Sequence, residues 1–135
     1  MNYVLDSSAL LRFLDGEAGN DRVAEILKSQ LRGTARVLVS AVHWGEVASV
    51  TAKTYGEKAV ESTLSRLAAF GIELVPATAA RAVRSGLIKS ALKIPYADAF
   101  GVDLASDSAD HVLVTADFDV KPAEHDIAIE FLPRK

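Results

Sequence analysis

The chain has 135 residues, of which 50% are hydrophobic and 24% charged, the balance of one ordinary globular domain with room for a sizeable core. It has no cysteine, which excludes disulfides, thiolate metal sites and a cysteine nucleophile. A net charge of -3 argues against a basic nucleic-acid-binding face, unless acids gather around bound cations and Lys and Arg stay on the rim. No signal-peptide pattern opens the chain and no stretch is long and apolar enough to span a bilayer, so a cytoplasmic protein with no membrane partner is expected.

Residues 2–6 read as a short buried strand ending on a bare carboxylate, Asp6. Ser7 or Ser8 can cap a helix carrying Ala9, Leu10, Phe13 and Leu14, closed by Gly16. Val23, Ile26, Leu27 and Leu31 recur at helical spacing, giving a second helix to about Arg32. RVLVS at 36–40 is a strand, and Ser40 can cap the helix that carries Val42, Glu46, Val47 and Val50. Val60, Leu64 and Leu67 mark a helix closed by Gly71, and IELVP at 72–76 is a third strand. Ala79, Ala80, Val83, Leu87 and Ala91 form a helix, and Pro95 can open another through Phe100 and Leu104. HVLVT at 111–115 and AIEFL at 128–132 are the last strands.

Short apolar strands alternating with helices predict a single α/β domain with a central, mostly parallel sheet of about five strands, flanked by helices on both faces. Ligands of such sheets bind beyond the carboxyl ends of the strands. Asp6 ends the first strand and Asp117 lies just past the fourth.

Four acids stand in apolar surroundings: Asp6 after YVL, Glu46 in AVHWGEVASV, Asp98 in IPYADAFGVDLA and Asp117 in VLVTADFDV. No basic residue adjoins any of them. Taken singly, each is explained as a cap, a helix-dipole partner or exposed surface. Taken together they call for a counter-charge, because clustered carboxylates repel and raise one another's pKa values. A hard divalent cation, Mg²⁺ or Mn²⁺, answers that need with oxygen ligands, and such a pocket points to phosphoryl chemistry.

These motifs, in this order, resemble the PIN-domain ribonucleases and, within them, the VapC-type toxins of toxin–antitoxin pairs. YVLDSSALL, VSAVHWGEV, YADAFGVDLA and VLVTADFDV match the segments that carry the family's acids, across nearly the whole chain. The resemblance implies a PIN-like three-layer fold in which Asp6, Glu46, Asp98 and Asp117 hold one or two Mg²⁺ or Mn²⁺ ions, with Ser7 and Thr115 in support. It implies endonucleolytic cleavage of an RNA phosphodiester, leaving a 5′-phosphate. It also implies a cognate VapB-type antitoxin along a groove of the first helices, and a homodimer. Asp119 is a second candidate for the fourth acid; Asp117, nearer the strand end, is preferred. A PIN-fold nuclease outside a toxin–antitoxin system and a catalytically inactive PIN-fold interaction module are the alternatives.

Other residues carry less. Asp103 lies about 140° around its helix from Asp98 and is expected to miss the pocket. His43 reads as a partly buried structural histidine, His111 and His125 as surface residues, and Trp44 as core or interface rather than a base-stacking ring. Arg81, Arg84, Lys89 and Lys93 are the densest basic group, either an RNA path or a solvated face. Leu10, Phe13 and Leu14 can help hold a partner. A phosphoryl-accepting receiver domain is excluded by the absence of any Asp between Asp21 and Asp98, and an aspartate-nucleophile phosphatase by a serine at the second position of Asp-x-Asp.

Overall fold

The computed structural model describes residues 1–135. Five strands form one sheet: β1 (Asn2–Leu5), β2 (Arg36–Ser40), β3 (Glu73–Val75), β4 (His111–Thr115) and β5 (Ala128–Phe131). Six helices lie among them: α1 (Ser7–Leu14), α2 (Asn20–Leu31), α3 (Ala41–Tyr55), α4 (Lys58–Ala68), α5 (Ala79–Leu92) and α6 (Tyr96–Ala105). A 3-10 turn over Phe118–Ala123, unannounced by periodicity, joins β4 to β5.

The strand order is β3-β2-β1-β4-β5 and every pairing is parallel. Parallel strands buried on both faces need apolar side chains on both faces, which is why these segments read as continuous runs rather than alternations. Leu5, Val37, Val39 and Val114 point to one core, completed by Leu10 of α1, Ile26 and Leu27 of α2, Val47 of α3 and Leu67 of α4. Val4, Leu38 and Leu113 point to the other, completed by Ala99, Val102 and Leu104 of α6. The result is the three-layer α/β architecture expected from the sequence. No helix is long and apolar enough to cross a membrane.

From β1 the chain builds outward to β2 and β3, then returns to place β4 on the other side of β1. The order therefore reverses between β1 and β4, and a crevice opens at the carboxyl ends of that pair. The register pairs Leu5 with Val114, so the next residues, Asp6 and Thr115, come side by side at its mouth.

Candidate active site

Asp6 does two jobs. Its backbone is extended (φ -87°, ψ 178°) and it is the N-cap of α1: Oδ1 accepts from the Ala9 N–H at 3.0 Å. The cap is thus Asp6, not Ser7 or Ser8, which instead turn inward to the site. Ser8 donates to Asp6 Oδ1 at 2.6 Å, and Thr115 donates to Asp6 Oδ2. Three donors explain how a carboxylate can be buried at a strand end.

Ser8 is the residue that sequence reasoning missed as a site component. Its hydroxyl also accepts from the Ala116 N–H at 2.8 Å and lies 3.2 Å from Thr115 Oγ1, so it ties α1 to the end of β4. The Ser-Ser pair signals a helix start; only the β1–β4 register shows which serine reaches across.

Asp117 sits two residues past Thr115. Its N–H donates to Thr115 Oγ1 at 2.9 Å, and its Oδ1 accepts from the Asp119 N–H at 2.9 Å. That turn brings the two acids to the same place rather than forcing a choice between them. Oxygens of Asp98, Asp117 and Asp119 all lie within 4.8 Å of one another. Asp119 therefore has as good a geometric claim as Asp117.

Asp98 stands in the first turn of α6, which starts after Pro95. Pro95 is the N-cap rather than the first helical residue. The pKa of Asp98 is pushed up to about 8, chiefly by burial, then by the neighbouring Asp117 carboxylate, then by the charges of Asp6 and Glu46. One side chain thus feels all three other sequence-predicted acids. Its Oδ2 is buried and has no hydrogen-bond partner.

Glu46, on α3, accepts from Ser7 Oγ at 2.9 Å through Oε1. One turn earlier, His43 is fully buried rather than partly so, and its Nε2–H donates to the Ala97 carbonyl at 3.0 Å. Its ring packs over Gly101, where a Cβ would come within 3.2 Å of His43 Cε1. His43 therefore couples the helix of Glu46 to the turn of Asp98.

Several neighbours take no part. Asp103 is buried but accepts from Arg81 at 3.0 Å and Arg84 at 2.7 Å, on the far side of α6 from the pocket. Arg81 also pairs with Asp107 at 2.6 Å, and these partners raise its pKa. So half of the densest basic group neutralises acids of its own fold, while Lys89 and Lys93 remain on an open cleft with Ser90 and Pro95. His111 is a correction: it is buried, and its Nδ1 bonds the Leu104 carbonyl at 3.0 Å, whereas His125 is exposed as expected. Leu10 is core, Phe13 packs edge-on against Phe70, and Trp44 packs half-buried on the first core.

The donor set suits a hard divalent cation. The acids and hydroxyls offer only oxygen, the one nearby imidazole, His43, spends its Nε2 on the Ala97 carbonyl, and a buried oxygen of Asp98 lacks the partner that burial demands.

Acids gathered at the reversal point of a parallel α/β sheet define the class: a carboxylate-site α/β domain whose donors suit a cation. The chain belongs to the PIN domain family, whose model matches residues 3–125. Among solved structures it is similar to a chain of VapBC2 from Rickettsia felis bound to a DNA fragment from their promoter, at 16% identity and a TM-score of 0.76, over 98% of this chain and 100% of that one. It is similar to a chain of DNA-bound VapBC from Salmonella typhimurium, at 16% identity and 0.71, over 97% and 98%. It is also similar to VapC20 of Mycobacterium tuberculosis, described as a Sarcin-Ricin loop cleaving toxin, at 14% identity and 0.67, over 97% and 99%. Identities this low speak for the fold. No curated protein matches the sequence.

Proposed function

We propose that this chain is a Mg²⁺- or Mn²⁺-dependent endoribonuclease and the toxin of a type II toxin–antitoxin pair, held inactive in the cytoplasm by a VapB-type antitoxin. The observation that carries the reading is the unpartnered, buried Oδ2 of Asp98, on a carboxyl that stands beside Asp117 and in the field of Asp6 and Glu46. Membership of the PIN domain family and the likeness to VapBC chains support it.

On this reading Asp6, Asp98 and Asp117 are metal ligands, Glu46 binds directly or through water, and Asp119 joins them. When bound, the cation supplies positive charge to the phosphate oxygens and makes a coordinated water more acidic. The protein's own groups do the rest. Thr115 and Ser8 hold the Asp6 carboxylate in one orientation. Ser7 holds Glu46 by Oε1, leaving Oε2 to orient the attacking water and accept its proton. A homodimer and an antitoxin segment along the first helices belong to the same reading.

The test is cleavage of a mixed single-stranded RNA pool with Mg²⁺, Mn²⁺ or EDTA, using wild type and Asp98→Asn. Metal-dependent products with a 5′-phosphate, lost in Asp98→Asn, are expected. Wild-type rates in that variant overturn the reading.

A further inference from the structure

A site built from carboxylates repels the backbone of an incoming RNA, so phosphates on either side of the cut need cations on the rim. Arg81 and Arg84 are engaged with Asp103 and Asp107. A cleft of about 510 Å³ opens directly onto the site instead, and Ser8, Asp117, Phe118 and Arg134 are among its walls.

Phe118 follows Asp117 in the chain. One face of its ring stacks on Phe131, centroids 4.9 Å apart and planes 11° from parallel. Over the ring of Phe118 also lies the guanidinium of Arg134, 3.8 Å from the centroid. Of the carboxylates lining the cleft, Glu17 pairs with Lys135 at 2.6 Å, and Arg134 joins no ion pair.

Arg134 is delivered there by a pinned backbone. The Leu132 N–H donates to the Thr115 carbonyl at 2.8 Å, and its side chain is buried against Gly19, where a Cβ would come 3.0 Å from Leu132 Cβ. The Pro133 carbonyl accepts from Arg12 at 2.8 Å, while the same buried guanidinium holds the Ala18 carbonyl at 2.6 Å. An unpaired guanidinium, stacked on an aromatic ring and held beside an acid of the site, is a preorganised fork of donors, which is the geometry that matches a phosphate.

We propose that Arg134, stacked on Phe118, binds a backbone phosphate of single-stranded RNA next to the one engaged at the acidic site. This rests on the ribonuclease reading. Both the ring's stacked neighbours are protein groups, so Phe118 acts as a platform for the guanidinium rather than for a base. A lysine at 134 keeps the charge but loses the planar fork.

The experiment is fluorescence anisotropy with a labelled single-stranded oligoribonucleotide, in an Asp98→Asn background that prevents cleavage, over a series of salt concentrations. Arg134→Ala is expected to weaken binding about tenfold and to flatten the log–log salt dependence by about 0.7, the signature of one lost phosphate contact on a single strand. Arg134→Lys should recover only part of the affinity. Calorimetric Mn²⁺ affinity of Arg134→Ala in the otherwise wild-type chain should be unchanged. Unaltered RNA affinity and salt slope in Arg134→Ala overturn the proposal, as does equal weakening of Mn²⁺ binding. A wild-type chain that binds no Mn²⁺, together with an Asp98→Asn chain that binds no RNA, overturns the ribonuclease reading too, before Arg134 is changed, so the two failures are distinguishable.

Discussion

Thr115 donates a hydrogen bond to the Oδ2 of Asp6 although the two stand 109 positions apart. The same hydroxyl oxygen accepts from the Asp117 N–H at 2.9 Å and lies 3.2 Å from Ser8 Oγ. One buried threonine thus orients an acid of β1 and sets the turn that presents Asp117. Thr115→Val keeps the shape and removes the hydroxyl. A loss of about 1–3 kcal/mol is expected from the unpaired groups left behind, together with weaker Mn²⁺ binding. Chemical denaturation and calorimetry measure the two effects separately.

The raised pKa of Asp98 has a consequence for the metal-free protein. Its folded value, about 8, lies above the ordinary 3.8. Between those values the native state holds more protons than the unfolded state, so stability falls as pH rises from about 4 to about 8. Asp98→Asn removes that dependence and should stabilise the metal-free protein near pH 8 by on the order of 1 kcal/mol once solvent screening is allowed for, read as a higher melting temperature. Scanning calorimetry at pH 5 and pH 8 reads both; a wild type as stable at pH 8 as at pH 5 contradicts the expectation.

Cation and proton compete for the same oxygens. Mn²⁺ at a hundred times its dissociation constant should stabilise the fold by about 2.7 kcal/mol. The apparent affinity should increase between about pH 6 and pH 8, and Asp98→Asn should abolish both effects. Thermal melts with and without the ion decide this.

His43 bridges the helices of Glu46 and Asp98 through the Ala97 carbonyl. His43→Gln can place an amide N–H where Nε2 stands; His43→Leu cannot. Mn²⁺ affinity close to wild type in the first, and at least several-fold weaker in the second, is the expected pattern among variants shown to be folded by circular dichroism.

Asp103 is buried like Asp6, but its partners are Arg81 and Arg84. Asp103→Ala leaves part of that charge unpaired, and a destabilisation of about 3 kcal/mol is expected, with Mn²⁺ affinity unchanged. Lost Mn²⁺ binding in a folded Asp103→Ala protein would place this acid in the site after all.

The sequence by itself determined the layers and which acids stand in apolar surroundings. Continuous apolar runs such as RVLVS and HVLVT become strands of a parallel sheet because both of their faces are buried, and the observed elements Arg36–Ser40 and His111–Thr115 match them residue for residue. Carboxylates inside such runs were legible because burial without a partner is costly, whatever the partner proves to be. Tertiary structure alone decided the partners. The β1–β4 register brought Thr115 to Asp6 and Ser8 to Thr115. The turn after β4 put Asp119 beside Asp117, and α6 carried Asp98 in while turning Asp103 away to Arg81 and Arg84. Local patterns encode which residues must be buried; hydrogen bonds and ion pairs between residues a hundred positions apart depend on strand order and register, which only the assembled sheet fixes.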